Sequence, residues 1–224
     1  MKLPRRQFLR LATVAAALPA VPRTVWAQTY PTRPVHWIVS FTAGGPNDTV
    51  ARIIGQYLSE RLGQQVLIEN KVGAGGNIGM AAVLSAPPDG YTIGFAAPNN
   101  AINASLYDKL PFDFVRDSAP VAGTLLLTNV MVVHPDVPTI AETVPGYEAV
   151  VWYGIVVPKG TPLEIVDTLN TAVNAVLADP KLEARLVQLG GVPMPMTPAQ
   201  FGKLIADETE KWAKVVKFSG AKPD

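Results

Sequence analysis

The residues whose types and spacing could do chemistry are Gly44, Gly45, Asn47 and Asp48, in the run VHWIVSFTAGGPNDTVARIIGQYLSERLG at 35–63. The run reads as strand, glycine turn and helix. Two glycines free the backbone, and Asn47 or Asp48 is expected as the N-cap, its side-chain oxygen accepting unpaired N–H groups of the first helical turn. Such a turn points several backbone N–H groups at one spot, and the helix dipole favours negative charge there. The chemistry on offer is anion binding, and a ligand carboxylate would suit it. Every βα turn needs a glycine and a cap, so the segment taken alone leaves a purely structural role open.

Other chemistries lack their parts. Histidine occurs only at His36 and His134, and there is no cysteine, so a zinc site would need both histidines plus carboxylates. Ser40 stands at a strand end, but no GxSxG surrounds it. Gly73, Gly75 and Gly79 form GxGxxxG, one residue longer than the dinucleotide fingerprint, with Ile78 where its third glycine belongs, and no Gly-Lys-Ser/Thr occurs. Capping accounts for Asp48 and strand-end solvation for Glu69, while Trp37, Trp152 and Trp212 read as core or cleft wall. No enzyme, metal or cofactor is expected.

The elements that would position the turn follow from periodicity. Residues 35–41 have the β-branched and aromatic content of a mostly buried strand. Val50, Ile53, Ile54, Tyr57, Leu58 and Leu62 form one helical stripe, with Gly63 as its stop. A second strand at 65–69 completes a βαβ unit and predicts a parallel sheet. A short helix at 77–85 and a third strand at 91–96 follow, the strand ending in a polar loop, Pro98-Asn99-Asn100. Three strand ends followed by polar or glycine loops would line one rim of the sheet. Residues 107–122 look irregular, and 123–133 and 147–157 are strand candidates. Thr161 as N-cap, Pro162 at N1 and Glu164 closing a capping box predict a helix, as do Asp179-Pro180 and Thr197 with Gln200. The last helix should turn Phe201, Leu204, Ile205, Trp212, Val215 and Val216 inward.

At 224 residues and 48% hydrophobic content, the chain can build one sizeable core or two small ones. Residues 1–27 read as an export signal of twin-arginine type: Arg5-Arg6 with Phe8-Leu9, an apolar run at 11–20, and cleavage near Ala27. Without them 14 basic residues face 18 acidic ones, net −4, which offers no basic patch to nucleic acid. Beyond that signal no apolar run approaches the ~20 residues that span a bilayer.

Several stretches carry a resemblance: SFTAGGPNDTVAR at 40–52, ENKVGAGGNIGMAA at 69–82, PPDGYTIG at 87–94, LPFDFVRDSAPVAG at 110–123 and WYGIVVPKGTP at 152–162. In this order they resemble the substrate-binding proteins of tripartite tricarboxylate transporters, the Bug-type family. The resemblance implies a periplasmic receptor of α/β, periplasmic-binding-protein type II-like fold, with two lobes and a cleft holding a small organic carboxylate or amino acid. It implies membrane permease subunits as partners, and no metal or nucleic acid. It also implies ligand loops at 41–48, 73–77 and 98–100, with Phe41, Ala43, Gly44, Gly45, Asn47, Asp48, Gly75, Gly76, Asn77, Pro98 and Asn99 as ligand-binding residues. Ala43, Gly44, Gly45 and Asn47 would donate to the carboxylate, and Asp48 would cap the helix and meet a ligand ammonium or water.

The chain departs from the family in one place. A segment of roughly 100 residues, the size of a small domain, normally lies between tracts like those at 131–135 and 137–142. Here the two run together, which suggests an internal deletion fused at Val137-Pro138. The expected organisation is a first lobe at 28–124, a truncated second lobe or hinge strands at 125–151, and a helical segment at 152–224 returning to the first lobe. With one lobe nearly complete and the other shortened, affinity should fall, and the strands at 123–133 and 147–157 should lose partners and expose apolar edges. A non-binding remnant of the family is the alternative.

Overall fold

A computed structural model of the protein describes residues 30–129, 140, 144 and 149–223. The export signal, His134 and the Val137-Pro138 junction lie outside them. Strand β1 (Val35–Val39) leads into helix α1 (Pro46–Leu62), then β2 (Val66–Asn70), a 3-10 turn (Ala74–Gly76), α2 (Asn77–Leu84), β3 (Thr92–Ala96) and α3 (Pro98–Leu106). A short α4 (Phe114–Asp117), β4 (Ser118–Thr128), β5 (Val150–Pro158), α5 (Leu163–Leu177), α6 (Pro180–Gln188), β6 (Gly191–Pro193) and α7 (Pro198–Ser219) follow.

The strands form one six-stranded sheet in the order β2-β1-β3-β5-β4-β6. β1 is parallel to β2 and β3, as the βαβ reading predicts, and β5 runs antiparallel between β3 and β4. Alternate residues supply two cores. Val35, Trp37 and Val39 pack with Val50, Ile54 and Leu58 of α1 and with Leu169 and Val173 of α5. On the opposite face Ile38, Ala96, Trp152 and Val156 meet Met80 and Val83 of α2 and Phe201 and Ile205 of α7. Helices cover both faces, which is why the central strands read as nearly continuous apolar runs.

Several helix ends match the sequence reading. Gly63 closes α1 in the left-handed region at φ 67°. The Asp179 carboxylate accepts from the amides of Lys181 and Leu182, and Thr197 and Gln200 form the reciprocal box.

Other expectations are corrected. Pro98-Asn99-Asn100 is the first turn of α3 rather than a loop, because Asn100 Oδ1 accepts the Ala97 amide at 3.0 Å. Residues 107–122 hold α4 and the start of β4, since a register shift at Pro120 lets the strand absorb a proline. Thr161 does not cap α5: its hydroxyl bonds the Pro158 carbonyl at 2.7 Å, and Pro162 occupies the cap position without a side-chain bond. Val215 does not face inward, being 42% exposed. β4 and β5 do not lose their partners, because β5 lies between β3 and β4 and β4 lies between β5 and β6. The free edges among the described strands are β2 and β6. β4 continues across the division at 124/125, with a register shift between Gly123 and Leu125, and β5 continues across that at 151/152.

Gly154 is the tightest point. A Cβ there would sit 2.0 Å from the Phe201 ring, which lies edge-on to Trp152 with centroids 5.7 Å apart. Gly154→Ala should expel Phe201 and cost about 3 kcal/mol, seen as a lowered urea midpoint. A midpoint within error of the parent would refute this packing.

Candidate functional site

Because β1, β2 and β3 are parallel, their carboxyl ends emerge at one rim, where ligands of open α/β sheets tend to sit. Three segments meet there. The turn after β1 carries residues 41–45, the turn after β2 carries 73–76, and α3 starts directly after β3.

The middle turn is built by conformation. Gly73, Ala74, Gly75 and Gly76 have φ of 128°, 48°, 61° and 94° in succession, a curl that only a glycine-rich run adopts cheaply. The Gly75 carbonyl thereby turns towards α3 and accepts from Asn99 Nδ2 and Asn103 Nδ2, each at 3.0 Å. Asn103 Nδ2 also donates to Asn77 Oδ1 at 2.9 Å. Gly76 closes the join with the first turn: a Cβ there would lie 2.8 Å from Asn99 Nδ2 and 3.7 Å from the Phe41 ring. Phe41, Gly75, Gly76, Asn77 and Asn99 are thus brought together, with Pro98 at the first position of α3.

The first turn differs from expectation. Gly45, not Asn47 or Asp48, is the N-cap of α1, and Asp48 sits one turn in with its carboxylate folded back. Asp48 Oδ2 accepts from the Gly44 amide and Arg52 Nε, both at 2.8 Å, and Oδ1 accepts from Asn70 Nδ2 at 2.9 Å. Asn70 Nδ2 also donates to the Phe41 carbonyl at 3.0 Å, and Asn70 Oδ1 accepts from Arg52 at 3.1 Å. The Asp48 side chain is 3% exposed, and Arg52, followed by the Gly44 and Asn70 donors, outweighs burial and holds its pKa at about 2. Fully engaged, this carboxylate is not placed to meet a ligand ammonium.

The same network alters the donor set. The Gly44 amide is taken by Asp48 and the Gly45 amide donates to the Thr42 carbonyl at 3.2 Å, so neither is left for a ligand carboxylate. The amides of Ala43, Asn47 and Asp48 make no hydrogen bond among the described residues. Side chains outside the expected set add to the rim. Ser40 Oγ, Asn77 Nδ2, Asn99 Oδ1 and Asn100 Nδ2 are buried without a partner among the described residues. Such atoms are costly unless a ligand or water meets them. Asn103 escaped sequence reasoning, and Ser40 at its strand end and Asn100 in the 98–100 loop were noted but not expected among the ligand-binding residues, although asparagines at 99, 100 and 103 have the spacing of one helix turn.

The aromatic and histidine readings are structural. Trp37 and Trp152 lie in the two cores, Trp212 donates to Glu208 at 2.9 Å, and His36 Nδ1 contacts the Glu69 carboxylate.

The tripartite tricarboxylate transporter family receptor pattern matches residues 50–138 and again 126–220. The chain belongs to this Bug-type receptor family. A UPF0065 protein of Pseudomonas sp. strain P51 is 26% identical over 290 aligned positions, covering 84% of this chain and 86% of that protein. BugT of Bordetella pertussis is 26% identical over 95% of both, and a UPF0065 protein of Cupriavidus necator is 39% identical over 71% of this chain and 43% of its own length. Among solved structures, a periplasmic transporter superposes with a TM-score of 0.77 at 26% identity, over 87% of this chain and all of its own. An R. palustris protein solved with adipate gives 0.75 at 25% identity over the same shares. The periplasmic binding protein BugD, at 24% identity and a TM-score of 0.77 over 86% of this chain and 99% of its own, shares the fold. The receptor thus has the α/β architecture of periplasmic binding proteins.

The Asp48 network has a pH signature. Its folded pKa of about 2 lies below the ordinary 3.8, so its stabilisation is complete above about pH 5 and is lost as pH falls towards 2. Asp48→Asn should cost about 2 kcal/mol at pH 7 and about half that at pH 3, read from urea unfolding at both values. A cost independent of pH would show that the charge is not what Asp48 contributes.

Proposed function

We propose that this receptor is exported to the periplasm, captures a small organic carboxylate at the rim formed by residues 41–48, 73–77 and 98–100, and delivers it to the membrane permease of a tripartite tricarboxylate-type transporter. The observation that carries the reading is the convergence at one rim of buried donors without partners among the described residues, Ser40 Oγ, Asn77 Nδ2 and Asn100 Nδ2; the unpartnered Asn99 Oδ1 beside them is an acceptor and suits water or a ligand hydroxyl. Membership of the receptor family and the adipate seated in the R. palustris relative support a carboxylate as cargo. The twin-arginine leader read at residues 1–27 agrees with export. No reaction is assigned: the chain binds and releases.

The donors differ from those first expected. With Gly44 and Gly45 engaged, the carboxylate is met by the amides of Ala43, Asn47 and Asp48 and by the asparagine side chains of the rim. Phe41, Gly75, Gly76 and Pro98 shape the floor.

We further propose that the second lobe, residues 125–151 in the division above, is shortened by an internal deletion near Val137-Pro138. Two findings support this. The family pattern is matched twice with an overlap at 126–138, and the 290-position alignment with the Pseudomonas protein takes up only 84% of these 224 residues, leaving about 100 positions without a counterpart. A carboxylate gripped mainly by one lobe keeps more of its surface in water than the ~70–90% burial of tight sites allows. The loss of Gly44 and Gly45 as donors favours a second reading, a remnant that holds no ligand.

Titration calorimetry of the chain without residues 1–27, against adipate, citrate, glutamate and nicotinate, separates the two. A receptor gives saturable binding of at least one acid with a Kd of roughly 1 mM or tighter, about −4 kcal/mol, weakened about tenfold in Asn99→Asp. Silence towards all four acids from a chain with native circular dichroism supports the remnant.

A further inference from the structure

The apolar stripe of α7 ends before the helix does. Phe201 and Ile205 are in the core, and Trp212 is half-buried and tied to Glu208, which also accepts from Trp152 Nε1 at 3.2 Å and Lys211 Nζ at 2.8 Å. Beyond that node Phe218 is 95% exposed.

Charge is segregated along the same helix. Asp207, Glu208 and Glu210 precede Trp212, whereas every charged residue from 211 to 222 is a lysine: Lys211, Lys214, Lys217 and Lys222. These twelve residues carry +4, while the remainder of 28–224 carries −8. Lysines near a helix carboxyl end complement the dipole, and Lys211 and Lys214 pair with Glu208 and Glu210. Lys217 and Lys222 make no ion pair among the described residues. The dipole gives no reason for Phe218. Seven residues after Lys211 and four after Lys214, its ring shares their outward face.

An exposed aromatic ring flanked by ammonium groups at the end of an amphipathic helix matches the chemistry of an anionic lipid surface. Apolar side chains enter the headgroup boundary there, and long basic chains reach phosphate. We propose that the end of α7 and the residues just after it, Lys211 to Lys222 with Phe218, form a membrane-contact element that rests reversibly on anionic phospholipid. One ring and a few cations give weak attachment, suited to a carrier that must also leave the membrane. Among the described residues no helix is long and apolar enough to cross a bilayer, so the contact is with the surface. The inference does not depend on carboxylate binding, and either can fail without the other.

Vesicle co-sedimentation tests it, using the chain with and without residues 1–27 and comparing variants within each background. The expected result is roughly tenfold or greater preference for vesicles with about 30% phosphatidylglycerol over pure phosphatidylcholine, falling with salt. Phe218→Ser and the double change Lys214→Glu/Lys217→Glu should each lower that binding about tenfold with unchanged thermal melting. Leu163→Ser, at another exposed apolar position, should leave binding intact. Equal binding to both vesicle types, no binding, or binding indifferent to residues 214–218 overturns the proposal. An acidic protein as the true occupant of this face would appear as no vesicle binding at all.

Discussion

One buried carboxylate governs the geometry of the rim. Asp48 pulls the Gly44 amide back towards α1, orients Arg52 and, through Asn70, fastens the end of β2 to the Phe41 carbonyl. A charge with a 3% exposed side chain persists only if its lone pairs are filled by donors, and here a guanidinium, a backbone amide and a side-chain amide fill them. The Gly44 amide that a glycine turn could have offered to a ligand is taken by Asp48, and the Gly45 amide is separately taken by the Thr42 carbonyl. The amides left over are those at 43, 47 and 48.

The topology explains how the described residues close both cores among themselves. All six described strands come from residues 35–193, and the two long strands that bracket residues 129–149 pair with each other along most of their length. β5 inserts antiparallel beside β3, and β6 covers the outer edge of β4. Both cores are therefore closed by elements from this one sheet and its helices. The edges expected on β4 and β5 are covered because β5 lies between β3 and β4, and β6, a three-residue strand too short to stand out in the sequence, pairs β4 at Leu125–Leu127. Short strands with proline are also what keeps an outer edge from recruiting another chain.

What could be read from the sequence was what depends on local order. The stripe of α1, the Gly63 stop, the Asp179 and Thr197 caps and the parallel βαβ unit all follow from periodicity or from side chains a few residues apart. What misled was chemistry shared between neighbours. Asp48 has the residue type of an N-cap, but Pro46 starts the helix earlier and moves it to a position where it reaches backwards. Thr161 has the same type, yet its hydroxyl finds the Pro158 carbonyl first. The rim was legible as three polar strand ends. The burial of Ser40, Asn100 and Asn103 as its inner wall was not, because each of these becomes buried only when α2, α3 and β1 are packed together.

If the second lobe is shortened as proposed, the separation of these two layers bears on how the remaining rim would recognise an anion. Asn103 fixes both the Gly75 carbonyl and Asn77, and Asn99 reinforces the first of these bonds, so the donor groups are positioned by folding rather than by the ligand. Ordering costs that binding would otherwise incur are therefore already met, and this component of affinity survives whatever happens to the opposite lobe. Burial is different, because it needs a second wall. A shortened receptor of this design would keep its selectivity for planar oxygen acceptors while giving up residence time, since loss of enclosure acts mainly on dissociation. Pre-organised donors with incomplete enclosure would make a weak, fast-exchanging carrier.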